Sequence, residues 1–183
     1  MKNSTIFLII FIFILIVAGI ILGIILTDDS KDSKNNNSKN ILWVAVGSDA
    51  SDGDGNILYS TDGKSWTSAQ KNGNNPFGNT GAGRGIAYNG QGRWVAVGLG
   101  ATFGDGNILY SDNGQTWISA QQNGANPFGN TGIGYGVAYG GQGRWVAVGD
   151  DTSDEGNILY STDNGETWTS AQQGISNPFG DSG

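Results

Sequence analysis

"GQGRWVAVG" occurs twice, at residues 90–98 and again at 141–149. Its core, "WVAVG", also starts at Trp43, so three copies begin 51 residues apart, at Trp43, Trp94 and Trp145. Other landmarks keep phase with it. "GNILYS" starts at Gly55, Gly106 and Gly156, a tryptophan follows at Trp66, Trp117 and Trp168, and "NPFG" starts at Asn75, Asn126 and Asn177. Self-similarity at a fixed period of this size is the mark of a repeat architecture. The three units run over about 41–79, 80–130 and 131–183.

Each unit is built from short pieces. "GIAY" (85–88), "RWVAVG" (93–98), "NILYS" (107–111) and "TWISA" (116–120) are rich in Val, Ile, Tyr and Trp, and clusters of Gly, Asn and Asp separate them. These are strand signals punctuated by turn signals. "NGQG" (89–92) predicts a tight hairpin, because Asn and Gly accept positive φ. Counting "GVAY" (136–139) and the missing counterpart of "GIAY" in the first unit gives eleven strands. In "WVAVG", Trp94 and Ala96 point to one side and Val95 and Val97 to the other, so both faces are apolar. A sheet with one wet face would alternate apolar and polar. The expectation is an all-β chain of three four-stranded antiparallel blades, the first lacking one strand, each sandwiched between neighbours. A stacked β-solenoid is the rival arrangement.

Between "NILYS" and the following tryptophan lies a box. The third copy reads Ser161-Thr162-Asp163-Asn164-Gly165-Glu166-Thr167-Trp168. The first, Ser60-Thr61-Asp62-Gly63-Lys64-Ser65-Trp66, is one residue shorter. The second aligns as Tyr110-Ser111-Asp112-Asn113-Gly114-Gln115-Thr116-Trp117, with Tyr110 in place of the first hydroxyl. An Asp side chain accepts hydrogen bonds from N–H groups just ahead of it, Gly supplies positive φ, and Trp pins the turn by burial. This S-x-D-x-G-x-T-W pattern resembles the Asp-box of the BNR repeats in sialidase-like β-propellers. The resemblance covers residues 41–183 and implies propeller blades. It implies a structural role for Asp62, Asp112 and Asp163, away from any active site.

Sialidases, by the same resemblance, would hold a carboxylate with three arginines beside a Tyr–Glu nucleophile pair and an Asp. This chain has three arginines in all, Arg84, Arg93 and Arg144, and the last two hold equivalent places in successive units. The arginine triad cannot be assigned, so no catalytic residue is expected. The absence of histidine and cysteine removes Ser-His-Asp and Cys-His catalysis, disulfides and the commonest metal ligands. Asp150, Asp151, Asp154 and Glu155 offer paired carboxylates in a loop, where solvated acids are common. Asp52, Asp54 and Asn56 have the alternate spacing of the first half of a calcium loop, but the glycine and closing glutamate of that loop do not follow. They form a weak calcium candidate, and a solvated acidic loop is the plainer reading. From residue 41 onward there are 13 acids and five bases, a net −8. That charge argues against nucleic acid and anionic lipid as partners of the repeats. No cofactor motif occurs.

Residues 6–26, "IFLIIFIFILIVAGIILGIIL", carry no charge over 21 positions. As a helix they would span about 31 Å, which matches a bilayer core of roughly 30 Å. A cleaved signal peptide should have a shorter apolar run followed by a small-x-small site, whereas Ala18, Gly19 and Gly23 lie inside this one. The expectation is therefore a single-pass anchor within residues 1–26, then a disordered polar stalk over 27–40. The five residues before the span favour export of the repeats, although Lys31, Lys34 and Lys39 after it count the other way. The functional expectation is a membrane-anchored, non-enzymatic module for binding or structural display at a surface, with a protein or glycan partner. The alternative is a sialidase-like hydrolase. Three blades are too few for a ring, so self-association through blade faces is expected as well.

Overall fold

The computed structural model describes residues 42–48, 55–102, 105–150, 157–172 and 178. The expected anchor and stalk, Asp52, Asp54, Asp151, Asp154 and Glu155 all lie outside the described residues. The described chain is all-β, with eleven strands in three antiparallel sheets.

The first sheet holds β1 (Trp43–Val46), β2 (Ile57–Ser60) and β3 (Thr67–Ser68), in that order. The second holds β4 (Ala82–Tyr88), β5 (Trp94–Leu99), β6 (Ile108–Ser111) and β7 (Ile118–Ser119). The third holds β8 (Ile133–Gly141), β9 (Arg144–Asp150), β10 (Ile158–Ser161) and β11 (Thr169–Ser170). Each strand pairs with its neighbour in sequence. A solenoid would instead pair each strand in parallel with its counterpart one unit on, and among the described strands no such pairing forms.

Register follows the turns. Trp94 opposes Ser111 and Val97 opposes Ile108, and Trp145–Ser161 and Val148–Ile158 repeat this one unit later. The "NGQG" turn closes on Asn89, whose Oδ1 accepts the N–H groups of Gln91 (2.8 Å) and Arg93 (3.0 Å). Strand β4 starts three residues before the "GIAY" expected from sequence, with a bulge between Gly83 and Gly85. The same bulge recurs between Gly134 and Gly136. The outer strand is shorter than expected: β7 and β11 begin one residue after the tryptophan and span two residues each.

The sheets pack face to face in chain order, and apolar burial drives the stacking. Val44, Val46 and Tyr59 of the first sheet lie against a cluster holding Ala96, Leu109 and Trp117. One unit later Val95, Val97 and Tyr110 meet Trp145, Ala147, Leu159 and Trp168. The second sheet is thus buried on both faces, as the two-sided apolar pattern requires. Glycine permits the close approach at the β4 and β8 edges. A Cβ on Gly83 would sit 2.5 Å from Val46 Cβ, and one on Gly134 would sit 2.6 Å from Val97 Cβ.

Candidate functional site

The repeated polar residues are the natural place to look for chemistry, and their geometry is that of turns. In the first box the Ser60 hydroxyl donates to Asp62 Oδ1 (2.9 Å) and accepts Gly63 N–H (2.9 Å). Asp62 Oδ1 in turn accepts Lys64 and Ser65 N–H, each at 2.8 Å. Those two N–H donors, Ser65 first, and the Ser60 hydroxyl pull the Asp62 pKa down to about 2. In the third box Asp163 accepts Thr167 N–H at 2.9 Å and also the Thr167 hydroxyl. Burial opposes ionisation of Asp163, but the bonds from Thr167 and Ser161 outweigh it and hold the carboxyl below its ordinary value. The extra residue of this box is Asn164, which takes φ 69° ahead of Gly165 at φ 89°.

The second box corrects the alignment made from sequence. Ser111, not Tyr110, stands in the place of Ser60 and Ser161, and its Oγ accepts Gly114 N–H at 2.8 Å. The side chain in the place of Asp62 and Asp163 is Asn113, whose Oδ1 accepts Gln115 and Thr116 N–H, both at 2.9 Å. Asp112 corresponds to Thr61 and Thr162 and is no part of the turn. Its Oδ1 lies 3.0 Å from Arg93 Nε instead. The amide suffices here because Oδ1 alone takes both turn N–H groups. Trp117 and Trp168 close their turns by burial and also donate their indole N–H to Gly114 O (3.2 Å) and Gly165 O (3.0 Å), whereas Trp66 is exposed.

Asn56 is not free to ligate calcium. It is buried; its Nδ2 donates to Gly78 O at 2.7 Å and its Oδ1 accepts Phe77 N–H at 3.1 Å. Asn107 repeats this on Gly129 O (2.8 Å) and Phe128 N–H (3.3 Å). This asparagine bolts the "NPFG" loop to its sheet. The role is not among the expectations from sequence, and its signal there is the Asn of "NILYS" at 56, 107 and 157 recurring in phase with "NPFG". Among the described residues no three acidic side chains gather to hold a metal.

The arginines do not converge as a carboxylate clamp would require. Arg84 and Arg144 are exposed on β4 and β9, on different sheets. Arg93 is buried and committed elsewhere: Nη2 bonds Glu166 Oε1 of the next unit at 3.0 Å, and the guanidinium lies over the Tyr110 ring at 4.7 Å. Burial and the nearby Glu166 carboxylate push the Tyr110 pKa up. Lys71 reaches into the second unit, where its Nζ bonds Asp105 O and lies 3.6 Å from Asp105 Oδ1. Burial draws its pKa down, partly offset by Asp105. Gln122 repeats this reach on Ser170 Oγ at 2.8 Å. A groove of about 430 Å³ opens between residues 99–102 and Asn130–Thr131, with no titratable side chain among the described residues of its lining.

Fold and site together define an all-β repeat protein whose repeated polar residues hold its turns and join its sheets. No protein-family model matches the chain, and no curated protein matches it. Among the solved structures similar to it are two. One is described as YCF48 bound to D1 peptide, at 17% identity and TM-score 0.43, covering 68% of this chain and 35% of that one. The other is an ancestral GH74 enzyme, at 18% identity and TM-score 0.46, covering 74% of this chain and 18% of that one. The chain therefore spans about a third of the first and under a fifth of the second.

Proposed function

We propose that the chain is a membrane-anchored, non-enzymatic module of propeller-blade-like sheets that binds a protein or glycan partner, or displays and assembles itself, at a surface. The anchor is the 21-residue apolar run at 6–26, and the repeats face outward. What supports the non-enzymatic reading is the commitment of the repeated polar groups. Ser60, Asp62, Asn113 and Asp163 are engaged in box turns, Asn56 and Asn107 in loop bolts, and Arg93 in a link between sheets. Rigid sheets that carry variable loops suit recognition. The groove beside Leu99 and Thr131, apolar with hydroxyl and amide groups, is the place such a ligand would sit.

The test uses the full chain in detergent micelles. A glycan and peptide array should show saturable binding to one ligand class, while fluorogenic sialosides and glycosides should release no fluorophore above a protein-free blank. Turnover that scales with protein concentration would overturn the reading in favour of a glycan-processing hydrolase.

A further inference from the structure

We infer that the two open faces of the array are mates, so that the third sheet of one copy docks on the first sheet of a second copy, head to tail. This rests on the reading of the chain as a self-assembling display module, and it names the partner and the contact.

The chain builds one interface twice. Valines of one sheet seat on the tryptophan–alanine–leucine face of the next: Val44 and Val46 on the face of Ala96 and Leu109, then Val95 and Val97 on that of Trp145, Ala147 and Leu159. Among the described residues both halves of this interface are also left exposed, one on the first sheet and one on the third. The third sheet exposes Val146 (44%) and Val148 (37%), whose counterparts Val95 and Val97 are at 0%. The first sheet exposes Trp43 (53%), whose counterpart Trp145 is at 0%, and Trp66 (41%), whose counterparts Trp117 and Trp168 are at 3%. Each exposed residue is therefore of a kind that this same fold buries against itself elsewhere.

Two finer features match. The box glycine receives a valine from the preceding sheet: a Cβ on Gly114 would lie 2.9 Å from Val44 Cγ2, and one on Gly165 would lie 2.7 Å from Val95 Cγ2. Among the described residues the seat at Gly63 is open, with Trp43 Nε1 at 3.9 Å as the nearest atom. Val146 is the valine that corresponds to Val44 and Val95. At the outer edge Gln70 N–H donates to Gln115 O and Gln70 O accepts Trp117 N–H, both at 2.9 Å. Gln121 makes the same exchange with Glu166 O (3.1 Å) and Trp168 N–H (2.9 Å). Gln172, exposed in the third unit, holds the corresponding place, and Lys64 and Trp66 hold the receiving one.

Two differences set the strength of the contact. Among the described residues the first sheet has no counterpart of β4, so the docked area between described strands is smaller than the internal one. Where Arg93 meets Glu166, docking would bring Arg144 toward Lys64, a like-charged pair. Because the contact joins two different faces, it propagates into a ring or a filament and does not stop at a symmetric pair.

The chain has no cysteine, so introduced thiols report the contact cleanly. Gln70–Thr116 and Gln121–Thr167 are bridge partners across the internal interfaces, and the docked equivalent is Gln172–Ser65. Full-length Ser65→Cys and Gln172→Cys chains are mixed in micelles under mild oxidation. The mixed disulfide should form at least about tenfold faster than either variant forms one with itself. Gly63→Asn keeps the φ of 71° and fills the open seat, and Val146→Asp changes a residue already exposed. Each should leave the melting temperature in place and abolish the mixed disulfide. Lys64→Glu recreates the Arg93–Glu166 pairing and should raise its yield roughly 2- to 5-fold. Absence of the mixed disulfide, dominance of either self-pair, or indifference to Gly63→Asn and Val146→Asp overturns the inference. Array binding is read separately, so loss of one result leaves the other standing.

Discussion

Replacing the three box tryptophans by alanine one at a time tests whether a unit is stabilised by the unit before it. Trp117 and Trp168 are 3% exposed, each packed in a cluster shared with the preceding sheet, while Trp66 is 41% exposed. A buried Trp removes roughly 150–250 Å² from water, worth about 4–6 kcal/mol at ~25 cal/mol per Å². That area is an upper bound, because the unfolded chain already hides part of it. Large-to-small substitutions of this kind cost about 3–5 kcal/mol, and that range is expected for Trp117→Ala and Trp168→Ala. Their lost indole bonds leave Gly114 O and Gly165 O short of a partner, which keeps the cost toward the upper end. Trp66 buries about three-fifths of its surface, so Trp66→Ala should cost about 2–3 kcal/mol. Urea melts of the full chain in micelles, at a dilution that keeps copies apart and followed by far-UV circular dichroism, give the order through their midpoints. Equal shifts at all three sites, or the largest at Trp66, would refute the claim that burial of the box tryptophan comes from the neighbouring unit.

The corrected second box predicts that Asn113→Ala destabilises by about 0.5–2 kcal/mol, as loss of a capping side chain does, while Asp112→Ala costs less than half of that; thermal melts of the two variants decide it. Asp62 has its folded pKa lowered from 3.8 to about 2, so its contribution is complete above about pH 4 and is lost as pH falls through 2. A carboxyl NMR titration should place the Asp62 midpoint near 2, and Asp62→Asn should flatten the acid limb of the stability curve; a midpoint near 4 would remove the turn bonds from the account. Asn107→Ala strands the buried Phe128 N–H and should cost about 1–3 kcal/mol, with faster amide exchange at residues 126–129 as the local signature.

Much of this was legible in eight- to ten-residue windows. The hairpin at Asn89 follows from Asn and Gly at positions that need positive φ, and the box turns follow from a hydroxyl, an acceptor and a glycine in sequence. The second box was misread because Ser111-Asp112-Asn113-Gly114 allows two alignments by letter. Hydrogen-bond distances from Ser111 Oγ and Asn113 Oδ1 choose one. The spacing of Asn56 to Asp52 and Asp54 offers only a weak calcium candidate, and burial under the "NPFG" loop uses both ends of the Asn56 amide.

By itself the sequence determined the three units, the eleven strands and their order, and the apolar character of both faces of each sheet. These follow from local patterns, since turn chemistry and alternation act between residues a few positions apart. The tertiary structure alone decided which groups meet across sheets. Arg93 and Glu166 are 73 residues apart, and no periodicity predicts the pair, because the places of Glu166 in the other units hold Lys64 and Gln115. It also decided that Gly114 and Gly165, chosen for their φ, double as seats for Val44 and Val95 of the preceding sheet. Positive φ is a property of one residue, whereas a seat exists only once the neighbouring sheet has folded against it.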